Sequence, residues 1–249
     1  MNNFSQELQR RLHIPISSIT AYDYPSARIA DEAGIQLLLV GDSLGMVVAG
    51  NPDTTSVTLD QMAYHTQMVH RGAKNAVIVS DLPINTYQTP EDTVKNARVL
   101  MDAGADAVKL EGGFGQLEKV KALTKADIPM MAHIGMLPQR VIEEGGYKKK
   151  GKSADQARIL IDSAVALEEA GAFAIVLESV VPAVASQITK AVSMPTIGIG
   201  SGEDCSGQIR VLHDVIGGYP WFVPPFAKVY GDVAGEMRRS MEQFREELK

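Results

Sequence analysis

Cysteine is almost missing from this chain. The single thiol, Cys205, leaves no intrachain disulfide possible and no cluster for a structural zinc. An excess of basic charge is missing too. Lys and Arg number 24 against 30 Asp and Glu, for a net charge of -6. An acidic chain of this kind lacks the basic patch of a nucleic-acid binder and is repelled by an anionic membrane surface. No apolar run approaches the roughly 20 residues of a membrane helix. The opening segment MNNFSQELQRRLH has no apolar core of the secretory type, so it reads as something other than a signal peptide. Also absent are GxxxxGK[ST], GxSxG and HExxH. GIGSGEDCSG is glycine-rich, but it has neither phosphate-loop spacing nor the strand–GxGxxG–helix setting, and reads as a tight turn. These absences point to a cytoplasmic protein that works on small molecules, with no nucleic-acid or membrane partner.

What is present is a repeated phrase. A polar helix ends in Ala-Gly or Gly-Ala and a β-rich run follows, as in DEAGIQLLLV, HRGAKNAVIV, MDAGADAVKL and EEAGAFAIVL. Gly34, Gly72, Gly104 and Gly171 are the expected left-handed helix caps. Pro129 and Pro195 stand where a helix must stop and a strand begin. Short runs rich in Val, Ile and Leu predict strands near 17–21, 36–41, 76–81, 106–111, 129–134, 173–178, 195–199 and 208–213. Helical patterns lie between them, for example over 90–103 and 153–170, the latter with Ser153 as N-cap and Gln156 completing a capping-box pattern. Eight strands alternating with helices predict an α/β fold: one (β/α)8 barrel domain over 1–249, with a short N-terminal helix and a C-terminal helical extension near 232–247. Should the eighth strand fail, a doubly wound open sheet is the alternative.

Two long connections, residues 43–58 and 135–152, leave C-terminal strand ends and are expected to overhang the site. Within the second, KKKGK is a solvated basic run or an attractor for an anionic cofactor. After Gly217, Trp221, Phe222 and Phe226 serve either to cap the barrel or to contact another subunit.

Charge falls at the ends of the apolar runs. LLLVGDS ends at Asp42 and Ser43, VIVSDL at Asp81, AVKLEGG carries Lys109 and Glu111, MMAHIG carries His133, and AIVLES ends at Glu178. Polar groups gathered at the C-terminal strand ends build the site of a parallel α/β enzyme. Asp42, Asp81 and Glu111 come from neighbouring strands. Converging carboxylates of this kind suit a hard divalent cation, with Mg2+ the usual occupant and Mn2+ or Co2+ compatible; a single Asp in such a place more often caps a helix. Lys109, two residues before Glu111, shares its face of the strand. It is either an anchor for a substrate carboxylate or carbonyl, or one half of a structural ion pair. Glu178 closes a very apolar run, where burial would raise its pKa and suit it as a general base. His133 is a hydrogen-bond donor, a proton shuttle or a core residue. A metal, a cation for a carboxylate and a separate base suggest a 2-oxo acid substrate. Glu178 would remove its C3 proton and the metal would hold the enolate.

The strings TAYDYPSARIADEAG, LVGDSLGMVVAG, SDLP, VKLEGG, AHIGMLPQ, GGYKKKG, VLES, IGIGSG and DCSGQ resemble the ketopantoate hydroxymethyltransferase family, in order, from about residue 16 to 247. The resemblance implies a Mg2+-dependent (β/α)8 barrel, usually a homodecamer. The implied reaction passes a hydroxymethyl group from 5,10-methylenetetrahydrofolate to 3-methyl-2-oxobutanoate, giving 2-dehydropantoate in pantothenate biosynthesis. By motif it implies Asp42, Asp81 and Glu111 as metal ligands, and Ser43 and Lys109, with Asp42 and Asp81, at the substrate. Glu178 is implied as the base and His133 as an active-site histidine. The chain differs from the family at GNPDTTSVT, where a His-Asp-Ser-Thr-Leu-Pro run is usual, and at Ser179, where Cys is frequent. Two other functions compete. One is a Mg2+-dependent lyase or mutase resembling phosphoenolpyruvate mutase or isocitrate lyase, which the glycine-turn position of Cys205 disfavours. The other is an inactive barrel serving as a binding protein, which should lack one of Asp42, Asp81, Glu111 or Glu178; none is missing.

Overall fold

The computed structural model describes residues 3–249. Eight parallel strands close a barrel in chain order. They are β1 (Ile16–Thr20), β2 (Leu37–Val40), β3 (Val77–Asp81), β4 (Ala107–Glu111), β5 (Met130–Gly135), β6 (Ala174–Glu178), β7 (Thr196–Ile199) and β8 (Gly207–Arg210). The helices are α1 (Asn3–Arg11), α2 (Tyr24–Glu32), α3 (Leu44–Val47), α4 (Leu59–Gly72), α5 (Pro90–Asp102), α6 (Leu117–Lys125), α7 (Ala154–Ala170), α8 (Pro182–Ala191), α9 (Leu212–Ile216) and α10 (Val233–Glu247). This is the TIM barrel expected from the alternation of elements. The chain groups into two compact units, one up to Ile209 with the barrel and one from Arg210 with α9 and α10. Among the described residues no helix is long and apolar enough to cross a membrane.

Register explains the core. Lys109 pairs with Met131 and Glu111 with His133; Asp81 pairs with Lys109; His133 pairs with Val176 and Gly135 with Glu178. Side chains alternate between the two faces of a strand, so one parity points inward throughout. That parity carries Leu37, Leu39, Val77, Val79, Ala107, Met131, Ala174, Val176, Ile197 and Ile199, which form one buried cluster. Leu8 of α1, with Leu12, joins the same cluster and plugs the N-terminal mouth. Continued one or two steps up each strand, the parity delivers Asp81, Lys109, Glu111, His133 and Glu178.

Several local expectations change. The eighth strand is shorter than 208–213, because Val211 already caps α9. Gly34, Gly104 and Gly171 adopt the left-handed conformation, but Gly72 does not. Gly72 is the last residue of α4, and a Cβ there would stand 2.6 Å from the Tyr24 carbonyl oxygen and 2.9 Å from Ala27 Cβ. Its glycine serves the close approach of α2 and α4. Ser153 does cap α7, accepting from the Gln156 N–H. The Gln156 carboxamide accepts instead from the Lys152 N–H, at 3.1 Å, one residue short of a capping box. The reciprocal box forms at Thr58 and Gln61 on α4. In the second unit, Asp232 caps α10, no residue of α10 is buried, and Trp221 and Phe222 are 78% and 60% exposed.

Candidate active site

Asp81, Lys109, Glu111, His133 and Glu178 converge at the C-terminal mouth, joined by Asp42 from the turn after β2. Asp42, Asp81, Lys109, Glu111 and His133 are at most 4% exposed. Lys109 Nζ lies 2.7 Å from Asp81 Oδ1 and 3.3 Å from His133 Nδ1. His133 bridges two carboxylates, with Nδ1 3.4 Å from Glu111 Oε1 and Nε2 3.3 Å from Glu178 Oε2. The Asp42 N–H donates to Asp81 Oδ2 at 3.1 Å. Lys109 therefore is in an ion pair, and His133 is a linker between strands rather than a solitary core residue.

Helix capping does not account for these residues. Ser43 stands at the N-cap of α3 but makes no side-chain capping bond; its hydroxyl instead lies 2.9 Å from Tyr22 Oη. The Asp42 side chain turns to Gln139, whose Nε2 donates to Oδ2 at 2.8 Å.

Electrostatics make the cluster uncomfortable. Four carboxylates face two cations, Lys109 and His133, so full ionisation would leave two negative charges in excess. Burial, with repulsion from Asp81 and Glu111, pushes the Asp42 carboxyl well above the usual range. Burial also raises Asp81, against the opposing pull of Lys109. Burial alone would raise Glu111, but His133, Lys109 and the Gln139 N–H together hold it below the ordinary value. Burial and Lys109 work against the His133 cation, yet Glu111 and Glu178 carry it up to about 9. Glu111 Oε1 and His133 Nε2 make no hydrogen bond. Buried atoms at ion-pair distance but without hydrogen bonds, in a site crowded with carboxylate oxygens, fit a hard divalent cation. Among the described residues no three His, Cys, Asp or Glu side chains are already arranged to hold a metal ion.

Glu178 is only partly enclosed, with a side chain 16% exposed, so the deep burial expected from its apolar run is not found. Its turn is firmly held. The Met136 N–H donates to the Glu178 carbonyl at 2.8 Å and the Ser179 N–H to that of Ile199 at 2.8 Å. Gly135 is obligatory beneath it: φ is +104° and a Cβ would stand 2.2 Å from the Glu178 oxygen. Ser179 itself has φ of +49°, an uncommon conformation for a non-glycine residue. Its carbonyl accepts from the Lys150 N–H at 2.8 Å, tying the end of the 135–152 connection to β6. Tyr147 Oη reaches Met46 Sδ at 3.7 Å, so the two long connections meet over the mouth as expected. Cys205 lies beneath Gly198, and burial pushes its thiol up, away from nucleophilic use.

Three participants were not singled out from sequence: Gln139, Tyr87 and Tyr22. Glutamine and tyrosine in loops are ordinarily surface residues, and only MLPQ in its long connection hinted at Gln139.

The family model described as ketopantoate hydroxymethyltransferase matches residues 3–249. A 3-methyl-2-oxobutanoate hydroxymethyltransferase from Clostridium botulinum is 51% identical over 229 residues, 91% of this chain and 83% of that protein. Among solved structures, 2,3-dimethylmalate lyase, a PEP mutase/isocitrate lyase superfamily member, superposes with a TM-score of 0.67 at 18% identity, covering 99% of this chain and 88% of its own. Phosphonopyruvate hydrolase in complex with oxalate and Mg2+ superposes with a TM-score of 0.66 at 15% identity, with the same coverage. At such identities the two structures share the fold alone. The half-identical relative and the full-length family match decide between the candidate classes, and the chain belongs to the ketopantoate hydroxymethyltransferase family of transferase enzymes.

Proposed function

We propose that this chain transfers a hydroxymethyl group from 5,10-methylenetetrahydrofolate to 3-methyl-2-oxobutanoate, giving 2-dehydropantoate in the cytoplasmic route to pantothenate. The carrying observation is the division of the mouth. Asp42, Asp81 and Glu111 crowd one side, while Glu178 stands across His133, more exposed than any of them.

Glu178 is the group placed to take the C3 proton of the 2-oxo acid. His133, 3.3 Å from Glu178, holds that carboxylate in position. Lys109 sits beneath the mouth as the cation for the substrate's carboxylate or keto oxygen, and the Ser43 hydroxyl, steadied by Tyr22, is a further donor at the rim. Asp42, Asp81 and Glu111 would hold Mg2+, which supplies Lewis-acid stabilisation of the charge that develops as the proton leaves. Support for Mg2+ comes from the all-oxygen donor set and from the Mg2+ bound by phosphonopyruvate hydrolase on the same fold. With the C3 proton gone, the carbon attacks the folate's one-carbon unit at the formaldehyde level; one water supplies the hydroxyl oxygen, the C–N bonds of the methylene bridge break, and tetrahydrofolate leaves. We further infer a homo-oligomer, a homodecamer by family resemblance. The exposed Trp221, Phe222, Met237, Met241 and Phe244 of the second unit support self-association.

The test follows the C3 proton of 3-methyl-2-oxobutanoate by NMR in D2O, with Mg2+ present or chelated and no folate. Mg2+-dependent exchange is the expected result. Absence of exchange from the folded, metal-loaded protein, with and without tetrahydrofolate, overturns this assignment of substrate and base.

A further inference from the structure

One residue reaches two of the three carboxylates assigned to the metal, Asp42 through its side chain and Glu111 through its main chain, and it comes from neither of their strands. Gln139 lies in a short 3-10 turn, Pro138–Arg140, after β5, and is 3% exposed. Its main-chain N–H donates to Glu111 Oε2 at 3.1 Å. Its side-chain Nε2 donates to Asp42 Oδ2 at 2.8 Å and to the Leu82 carbonyl at 3.0 Å. Its Oε1 accepts from Tyr87 Oη.

Every donor and acceptor of this carboxamide is thus in use, and its sense is determined. Turning the amide over would set Oε1 against the Leu82 carbonyl and the Asp42 carboxylate, three acceptors facing one another with no proton between them. The Leu82 carbonyl, which can only accept, fixes that sense, and the Tyr87 hydroxyl donates to the oxygen side. The Tyr87 ring is in turn placed beside Lys119, whose Nζ stands 5.5 Å from the ring centroid. The consequence falls on the carboxylates. With Oδ2 of Asp42 and Oε2 of Glu111 each taken by a Gln139 N–H, each keeps its other oxygen for the mouth. Without those donors both carboxylates are free to rotate in a site whose like charges push them apart.

We propose that Gln139 is a positioning residue of the metal site. It holds Asp42 and Glu111 in the orientation that receives a divalent cation, and Tyr87 anchors its carboxamide oxygen. This rests on the assignment of Asp42, Asp81 and Glu111 to the metal. Partners that orient ligands in this way are commonly worth 10–100-fold in metal affinity.

The experiment measures Mn2+ affinity by EPR of the free ion and by calorimetry. It uses the full-length protein and its Gln139→Met, Tyr87→Phe and Asp42→Asn variants, each checked by circular dichroism and melting temperature. Methionine keeps the volume but lacks the carboxamide, so it releases Asp42 while the main-chain N–H to Glu111 stays in place. The expected result is about 10–100-fold weaker Mn2+ binding for Gln139→Met, a smaller loss in the same direction for Tyr87→Phe, and no binding for Asp42→Asn. Proton exchange by Gln139→Met should recover as Mn2+ is raised to saturation, which a merely structural defect would not allow. Should Gln139→Met not fold, Tyr87→Phe, which deletes one hydroxyl, decides. Folded variants at Gln139 and Tyr87 that bind Mn2+ as the parent does overturn the role of Gln139 and leave the metal assignment standing. Parent-like binding by Asp42→Asn overturns the metal assignment, and the role of Gln139 with it.

Discussion

The two mouths of the barrel use the same functional group to opposite ends. At the N-terminal mouth, carboxylates accept from main-chain N–H groups at or just before the start of a strand. Asp31, from α2, accepts from the N–H groups of Asn75 and Ala76 at 2.9 and 2.7 Å and from Asn75 Nδ2 at 3.0 Å. Asp106 accepts from the Ile78 N–H at 2.8 Å. Glu168 accepts from the N–H groups of Ser193 and Met194 at 2.8 and 2.6 Å. Each stands apart from the others, and each is satisfied. At the C-terminal mouth, Asp42, Asp81, Glu111 and Glu178 crowd together, deeply or partly buried, with two cations between them. One set of carboxylates closes the fold, and the other is held against its own repulsion. A satisfied acidic residue is therefore a stability element, and a crowded one is a candidate for chemistry.

Substitutions should separate the two mouths. The largest effect is expected for Glu178→Gln. A general base contributes about 10^2–10^4-fold, so kcat should fall by about that factor while calorimetry finds 3-methyl-2-oxobutanoate and Mn2+ still bound. Loss of binding in place of turnover would mean that Glu178 is a ligand and not the base.

Next in size is Asp31→Ala. Leaving the N–H groups of Asn75 and Ala76 without their acceptor should cost about 1–3 kcal/mol in urea unfolding, with kcat unchanged. Burial works against the Asp31 charge, but the N–H groups of Ala76 and Asn75 outweigh it and hold its carboxyl below the ordinary value. A lowered folded-state pKa means that this contribution is complete above the ordinary carboxylate range and is lost as the pH falls through the lowered value. The gap between parent and Asp31→Ala should therefore close in acid. A gap that persists there would assign the loss to packing.

The smallest effect has the opposite sign. Asp42→Asn replaces a carboxyl whose ionised form the crowded mouth disfavours and should raise the melting temperature of the metal-free protein slightly, while abolishing Mn2+ binding. A lower melting temperature would show that the repulsion is already relieved and that the contrast between the mouths is one of geometry alone.

Much of this was legible in the chain. The apolar runs, the glycine caps at Gly34, Gly104 and Gly171 and the prolines before β5 and β7 locate the strands, because buried parallel strands and helix stops have strong local signatures. The positions of Asp42, Asp81, Lys109, Glu111, His133 and Glu178 at strand ends followed from the same pattern. Gly72 misled because glycine at a helix end signals a cap equally well when its real task is a close helix crossing. Gln156 misled because its carboxamide has a choice of N–H groups one residue apart.

What the sequence determined by itself is therefore the element order, the inward parity of each strand and the kinds of charge that the parity carries to the mouth, since all three depend on residues near one another in the chain. What only the tertiary structure decided is which charges meet. Lys109 lies on Asp81, His133 spans Glu111 and Glu178, and Gln139 from a distant connection joins Asp42 to Glu111. Barrel register and the path of a long loop set those meetings, and neither leaves a periodic trace in the order of residues.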